Sequence, residues 1–193
     1  MKLRAGGHYM LLFFFTVACA HEQKSTQKYF DFDGLIDDQV SQLSQRGRVL
    51  EKVTAMAADQ TDSTFLPSEK GWKSELEIFR DLELMNKPAY RDVYRIEDPL
   101  EDAKSNLKIR QYVASAVPLH LIKFYYQNEF SRLKKIEAAI TEKNLLFTTS
   151  RALVLEFEEE DGKPQLIRYS MNGFQKMVFT DTVRFSVQGQ VDW

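Results

Sequence analysis

Cysteine occurs once in 193 residues, which leaves no intramolecular disulfide framework and no cysteine-type zinc site to build. Charge of either sign is nearly balanced, 26 basic against 28 acidic side chains. Without a basic stripe, a nucleic-acid partner is excluded. A glycine-rich phosphate loop, GxSxG, HExxH and SxxK are all missing, so no catalytic residue, metal ligand or cofactor site is nominated. A long hydrophobic run is missing too. Crossing a bilayer takes about 20 apolar residues, whereas MLLFFFTVA, residues 10–18, stops after nine.

That short run has Lys2 and Arg4 before it and Cys19 directly after it. A basic start followed by a brief apolar stretch reads as a secretion signal and not as a permanent span. Thr16-Val17-Ala18-Cys19 resembles the lipobox of bacterial lipoproteins, with Thr16 standing where that family favours leucine. The resemblance implies a signal peptide over 1–18 and lipidation of Cys19, which becomes the first mature residue and carries palmitate-like chains. Each buried methylene contributes about 0.8 kcal/mol, so several chains together anchor stably. A cysteine used in this way is no thiolate nucleophile. Removing 1–18 leaves 175 residues and, with Lys2 and Arg4 gone, takes the formal charge from −2 to −4. Ala20 follows Cys19 where an aspartate favours inner-membrane retention in some bacteria. The expected location is therefore the cell envelope, at the outer membrane facing the periplasm.

Residues 20–28, AHEQKSTQK, hold nothing apolar beyond Ala20, and 19–29 reads as a lipidated, solvated tether. Residues 30–193 have the length of one domain with its own core. Near its start, Leu35, Ile36, Val40 and Leu43 recur at helical spacing, with Asp33 placed to cap the amino end. Asp31, Asp33, Asp37 and Asp38 read as a capped, solvated helix start, because no EF-hand spacing follows. RVLEKVTAMA then alternates like a strand. Ser68 suits the N-cap of a second helix, whose stripe is Trp72, Leu76, Phe79 and Leu82 and which Asn86-Lys87-Pro88 stops. Trp72, on so regular a stripe, reads as core.

From Arg91 onward, segments rich in Val, Ile, Tyr, Phe and Thr alternate with turn signals at EDPLED, Gln127-Asn128-Glu129, Glu142-Lys143-Asn144, EEEDGKP, Asn172-Gly173 and Thr180-Asp181. Leu153, Leu155, Phe157, Ile167, Tyr169, Met171, Met177, Phe179, Val183, Phe185 and Val187 form one apolar face. Residues 130–141 carry both helical and strand signals, and the distance between turns favours a strand. The expected fold is α+β, two helices packed on a six- to seven-stranded, mostly antiparallel meander sheet, half-barrel-like in form.

LHLIKFYYQ is apolar on both sides, with Leu119, Leu121 and Tyr125 on one and Ile122, Phe124 and Tyr126 on the other. Such a strand is either covered by helices or offers an apolar surface. Leu119, Leu121, Ile122, Phe124 and Tyr126 are therefore the candidate ligand or partner surface. His120 lies among them without any spacing that supplies a carboxylate or a nucleophile. Glu156, Glu158, Glu159, Glu160 and Asp161 read as a charged hairpin tip.

The mature pattern, WKSELEIFRDLELMNKPAY followed by strands ending RYSMNGFQKMVFTDTVRFSVQG, resembles small lipoproteins of Bacteroidota envelopes. The resemblance implies a compartment and no activity. The layout is also similar to the half-barrels of outer-membrane lipoprotein carrier and receptor proteins, which hold acyl chains between sheet and helices. The expected role is non-enzymatic: binding of a lipid or other apolar ligand, with an accessory subunit of an envelope complex as the alternative and an envelope hydrolase as the weakest reading. The membrane is the expected partner through the lipid on Cys19.

Overall fold

The structure is a computed structural model that describes residues 29–90 and 92–192. The expected signal peptide, Cys19 and the expected tether through residue 28 lie outside the described residues. The fold begins at Tyr29, whose ring meets Tyr94 and Tyr112 edge-to-face at 5.5 and 5.6 Å.

Helix α1, Phe32–Gln45, buries Phe32, Ile36, Val40 and Leu43 on one stripe. Its N-cap is Asp31 and not Asp33: the Asp31 carboxylate accepts from the Gly34 amide at 2.9 Å. Asp33 and Asp37 instead receive Arg80, at 3.1 and 2.5 Å, and tie α1 to the second helical segment. Helix α2, Glu69–Leu76, starts at Ser68, whose hydroxyl accepts from Gly71 at 3.2 Å. The expected single helix then tightens into a 3-10 run, Glu77–Asn86. The buried side chains explain the change, because Phe79, Leu82 and Met85 recur every third residue, and only three residues per turn keeps all of them on one stripe.

The described residues form nine strands: β1 Leu50–Met56, β2 Asp59–Phe65, β3 Arg95–Glu101, β4 Lys108–Val113, β5 Leu119–Tyr126, β6 Leu133–Lys143, β7 Phe147–Glu160, β8 Lys163–Met177 and β9 Val183–Val191. They form one open antiparallel sheet in the order β2-β1-β9-β8-β7-β6-β5-β4-β3. Nine replaces the expected six or seven because both edges were hidden in the sequence. β2, DQTDSTF, is exposed along its whole length and has no apolar alternation to read. β3 runs through EDPLED, expected as a turn, and absorbs its proline at a register shift between Glu97 and Leu100.

β8 likewise passes through the expected turn at Asn172-Gly173. Gly173 is required there by packing: a Cβ would lie 2.5 Å from the Ser150 carbonyl oxygen and 2.6 Å from the Phe185 ring. Residues 133–143 form β6, resolving their mixed signal in favour of a strand. A bulge between β7 and β8 pairs Phe157 with Leu166 and Leu155 with Tyr169. Leu166 therefore takes the core position expected of Ile167.

The helices cover one face of the sheet. Beneath them lie Leu50, Ile122, Phe124, Ile136, Ala138, Ile140, Leu153, Leu155, Phe157, Leu166 and Tyr169. Trp72, Phe79, Phe32 and Phe124 are fully buried among them, and the space between helices and sheet is filled by aromatic rings in contact. No helix among the described residues is long and apolar enough to cross a membrane.

Candidate functional site

The sequence-derived surface on β5 divides between the two faces of the sheet. Ile122 and Phe124 are fully buried beneath the helices. A register shift between Leu119 and Leu121 turns Leu119 inward as well, to zero exposure. Tyr126 is buried at the end of the strand, its hydroxyl donating to Asp98 at 2.6 Å. Only Leu121 lies half-exposed, on the face away from the helices. These side chains are core, and their apolar character serves packing. Tyr125, beyond Lys123 on that outer face, is covered by charged neighbours: it donates to Glu137 at 2.7 Å and carries the Lys135 ammonium 4.0 Å above its ring.

His120 is half-buried, with Nδ1 3.2 Å from the Pro118 carbonyl oxygen, a backbone group that cannot activate a nucleophile. Glu156, Glu159, Glu160 and Asp161 of the acidic run meet arginines. Glu156 meets Arg168 at 2.9 Å, Glu159 meets Arg132 at 2.9 Å, and Glu160 and Asp161 both engage Arg46. A hairpin tip held by that many ion pairs closes the end of the fold over the carboxyl end of α1.

The outer face of the sheet carries a shallow groove of about 600 Å³ near the β3–β4 loop, lined by Ser105, Asn106, Leu107, Lys135, Glu156 and Ile167. Its lining is mixed and charged. A cluster of exposed apolar side chains lies elsewhere, at the end of the sheet where the β1–β2, β6–β7 and β8–β9 hairpins turn. Leu145 is 94% exposed, Leu146 70% and Phe179 fully exposed, with Met56, Met177, Val178 and Val183 exposed beside them.

These tips are joined by backbone hydrogen bonds. The Val178 amide donates to the Leu146 carbonyl at 2.9 Å, linking the β8–β9 tip to the β6–β7 tip, and the Ala57 amide donates to the Arg184 carbonyl at 3.0 Å, linking β1 to β9. Asn144 Oδ1 accepts from the amides of Leu146 and Phe147 at 2.8 and 2.9 Å, which fixes the turn that holds the two leucines outward. Behind the cluster, Met56, Gln175, Met177, Val183 and Phe185 line a cavity of about 290 Å³.

Phe179 and Met177 were expected on the buried face, and Leu145 and Leu146 were not singled out. The signal was present in the composition of the turns: Asn144-Leu145-Leu146 and Val178-Phe179-Thr180 place large apolar residues where hairpin turns ordinarily take polar ones. The chain matches no family model, no curated protein and no solved structure.

Proposed function

We propose that this protein is an envelope lipoprotein, anchored through Cys19 and facing the periplasm from the outer membrane, whose role is to bind an apolar partner and not to catalyse a reaction. The observation that carries the binding part is the apolar end of the sheet. Seven large apolar side chains, Met56, Leu145, Leu146, Met177, Val178, Phe179 and Val183, are exposed together there. A soluble fold gains nothing by this arrangement, and contiguous exposed apolar patches mark interaction sites. The interior offers no comparable support for acyl-chain storage, since Phe32, Trp72, Phe79 and Phe124 fill the space between helices and sheet. The anchoring part rests on the lipobox-like Thr16-Val17-Ala18-Cys19.

A second reading, an accessory subunit of an envelope complex, draws support from the outer sheet face. No helix among the described residues covers it, and Ala139, Ser150, Ala152, Ser170 and Ser186 give its middle strands a low, largely polar surface. Cys19→Ala is expected to move the protein from the membrane fraction to the soluble fraction. If the variant still sediments with lipid after a carbonate wash, Cys19 is not the anchor. Native mass spectrometry of crosslinked, gently extracted protein separates the two binding modes: retained lipid supports the first, and a stoichiometric protein partner supports the second.

A further inference from the structure

Phe179 carries two costs at once. Its backbone sits at φ +71°, a left-handed conformation that a bulky residue rarely adopts, and its ring is wholly in water. Glycine or asparagine at that position would remove both costs. A residue kept in such a place is explained when the ring leaves water in the working state. Leu145 and Leu146 carry the second of these costs, exposure, because Asn144 caps the hairpin and leaves the next two side chains nowhere to pack.

The direction of these tips bears on what they meet. The β6–β7 and β8–β9 tips turn side by side at one end of the sheet, joined by the Val178–Leu146 hydrogen bond, so a flat surface laid across that end touches both. Lys143 and Lys176 are exposed two or three residues behind the leucines and Phe179, where long cationic side chains reach back to a polar boundary. Asp181 lines the cavity behind the loop.

The place where the chain enters the fold supplies the remaining constraint. Tyr29 rests on Tyr112, and Tyr112 is in register, through Ile122, with Ala138. From the level of Ala138 to Leu145 is seven residues, the last two in the turn, which at full strand rise span about 23 Å. Ten residues separate Cys19 from Tyr29, and fully extended they span about 33 to 36 Å. A lipid on Cys19 therefore reaches the plane of the tips with length to spare. Two contacts with one membrane reinforce each other, since the first raises the effective concentration of the second.

We infer that the end of the sheet bearing Leu145, Leu146, Met177, Val178 and Phe179 seats in the surface of a lipid bilayer, the same one that holds Cys19. This deepens the proposed function and rests on it for the second attachment point. The lipid anchor and the hairpin tips then fix the orientation of the molecule, with its strands standing on the membrane and the Glu160–Asp161 hairpin pointing away from it.

The test uses full-length protein purified from membranes and reconstituted in vesicles of phosphatidylethanolamine and phosphatidylglycerol. An environment-sensitive thiol probe is placed through Phe179→Cys and, separately, Asp161→Cys. Expected is a blue-shifted probe at 179, quenched by spin-labelled lipid and shielded from iodide, with the probe at 161 showing the opposite. Equal iodide access at both positions overturns the inference. So does a probe at 179 shielded from iodide but unquenched by spin-labelled lipid, which would place protein over the tips. Labelling of the unsubstituted chain tests the anchor separately. If Cys19 takes the probe, its thiol is free and the lipoprotein reading fails, while lipid quenching at 179 would still uphold the membrane contact.

Discussion

Gly189 and Tyr169 face each other across β8 and β9, and the tyrosine ring lies on the glycine. A Cβ at 189 would come within 2.2 Å of the ring. The ring has little freedom to withdraw. Its hydroxyl donates to Glu75 at 2.8 Å, Glu75 also accepts from Lys52 at 2.7 Å, and Phe79 packs edge-to-face at 5.8 Å. Burial, and then the neighbouring Glu75 carboxylate, push the Tyr169 phenol well above its ordinary range, so it remains a donor at any physiological pH. Gly189→Ala is expected to destabilise the fold by about 2 kcal/mol, the middle of the range for overpacking a closed core. Urea unfolding checks this: the midpoint falls while the slope stays constant. Combining Gly189→Ala with Tyr169→Ala should cost less than the two changes added, because the second removes the ring that the first displaces. Strict additivity would mean that the ring is not the obstacle.

The edge formed by β3, β4 and β5 is held by charge, whereas the middle of the sheet is held by apolar packing. Arg110 meets Asp98 at 2.6 Å, and Tyr126 donates to the same carboxylate at 2.6 Å. Burial would raise Asp98, but these two hydrogen bonds outweigh it and hold the carboxyl below its usual range. Glu137 is likewise pushed up by burial and brought below its usual range by Lys135 and Tyr125. The Tyr126 phenol moves the opposite way, up to about 12, through burial and then its bond to Asp98. A carboxylate depressed in the folded state contributes stability that is complete above its unfolded pKa, about 4. That stability is lost as pH falls through the depressed folded value. Denaturation midpoints are therefore expected to be flat with respect to these groups above about pH 5 and to fall below about pH 4. Asp98→Asn should flatten part of that fall, and an unchanged acid limb would remove Asp98 from the account. Edges of this kind also limited what the sequence disclosed. Leu153, Leu155 and Phe157 were legible because a central strand must alternate, and the Trp72 stripe because a helix on a sheet must present one face. β2 and β3 were not, since an edge strand protects itself with polar residues and proline. Ile167 misled through a bulge, which shifts side-chain parity without any mark in the residues. On β5, burial alone accounts for the apolar side chains that suggested a site. The apolar tips were missed because period-two reasoning carries Phe179 into a face and stops asking what a turn requires.

Across the whole molecule, cohesion is unevenly distributed. β5 to β8 are each paired on both sides and run beneath the helices, so their amides open only when the core opens. β2 is paired on one side, uniformly exposed, and contacts the rest of the sheet through β1. β3 is also paired on one side and its ladder is interrupted. The apolar tips project past the helical layer and depend on backbone links such as Val178 to Leu146. Amide hydrogen exchange is expected to follow this order. The central stretches of β6, β7 and β8, including Ala138, Leu155 and Tyr169, should exchange only through global unfolding, with a rate that falls in step with added stability. β2 and the outward-facing amides of β3 should exchange fastest, through local opening that stability variants in the core leave unchanged. The tips are the informative intermediate, because in free solution they should exchange locally and in the presence of lipid vesicles they should slow. If β2 instead exchanged with the central strands, the edge would belong to the cooperative core and the division into a packed centre and loosely held margins would be wrong. If the tips slowed on adding vesicles while β2 did not, the change would be confined to the end of the sheet that carries Leu145, Leu146 and Phe179, as a fixed orientation on the membrane requires.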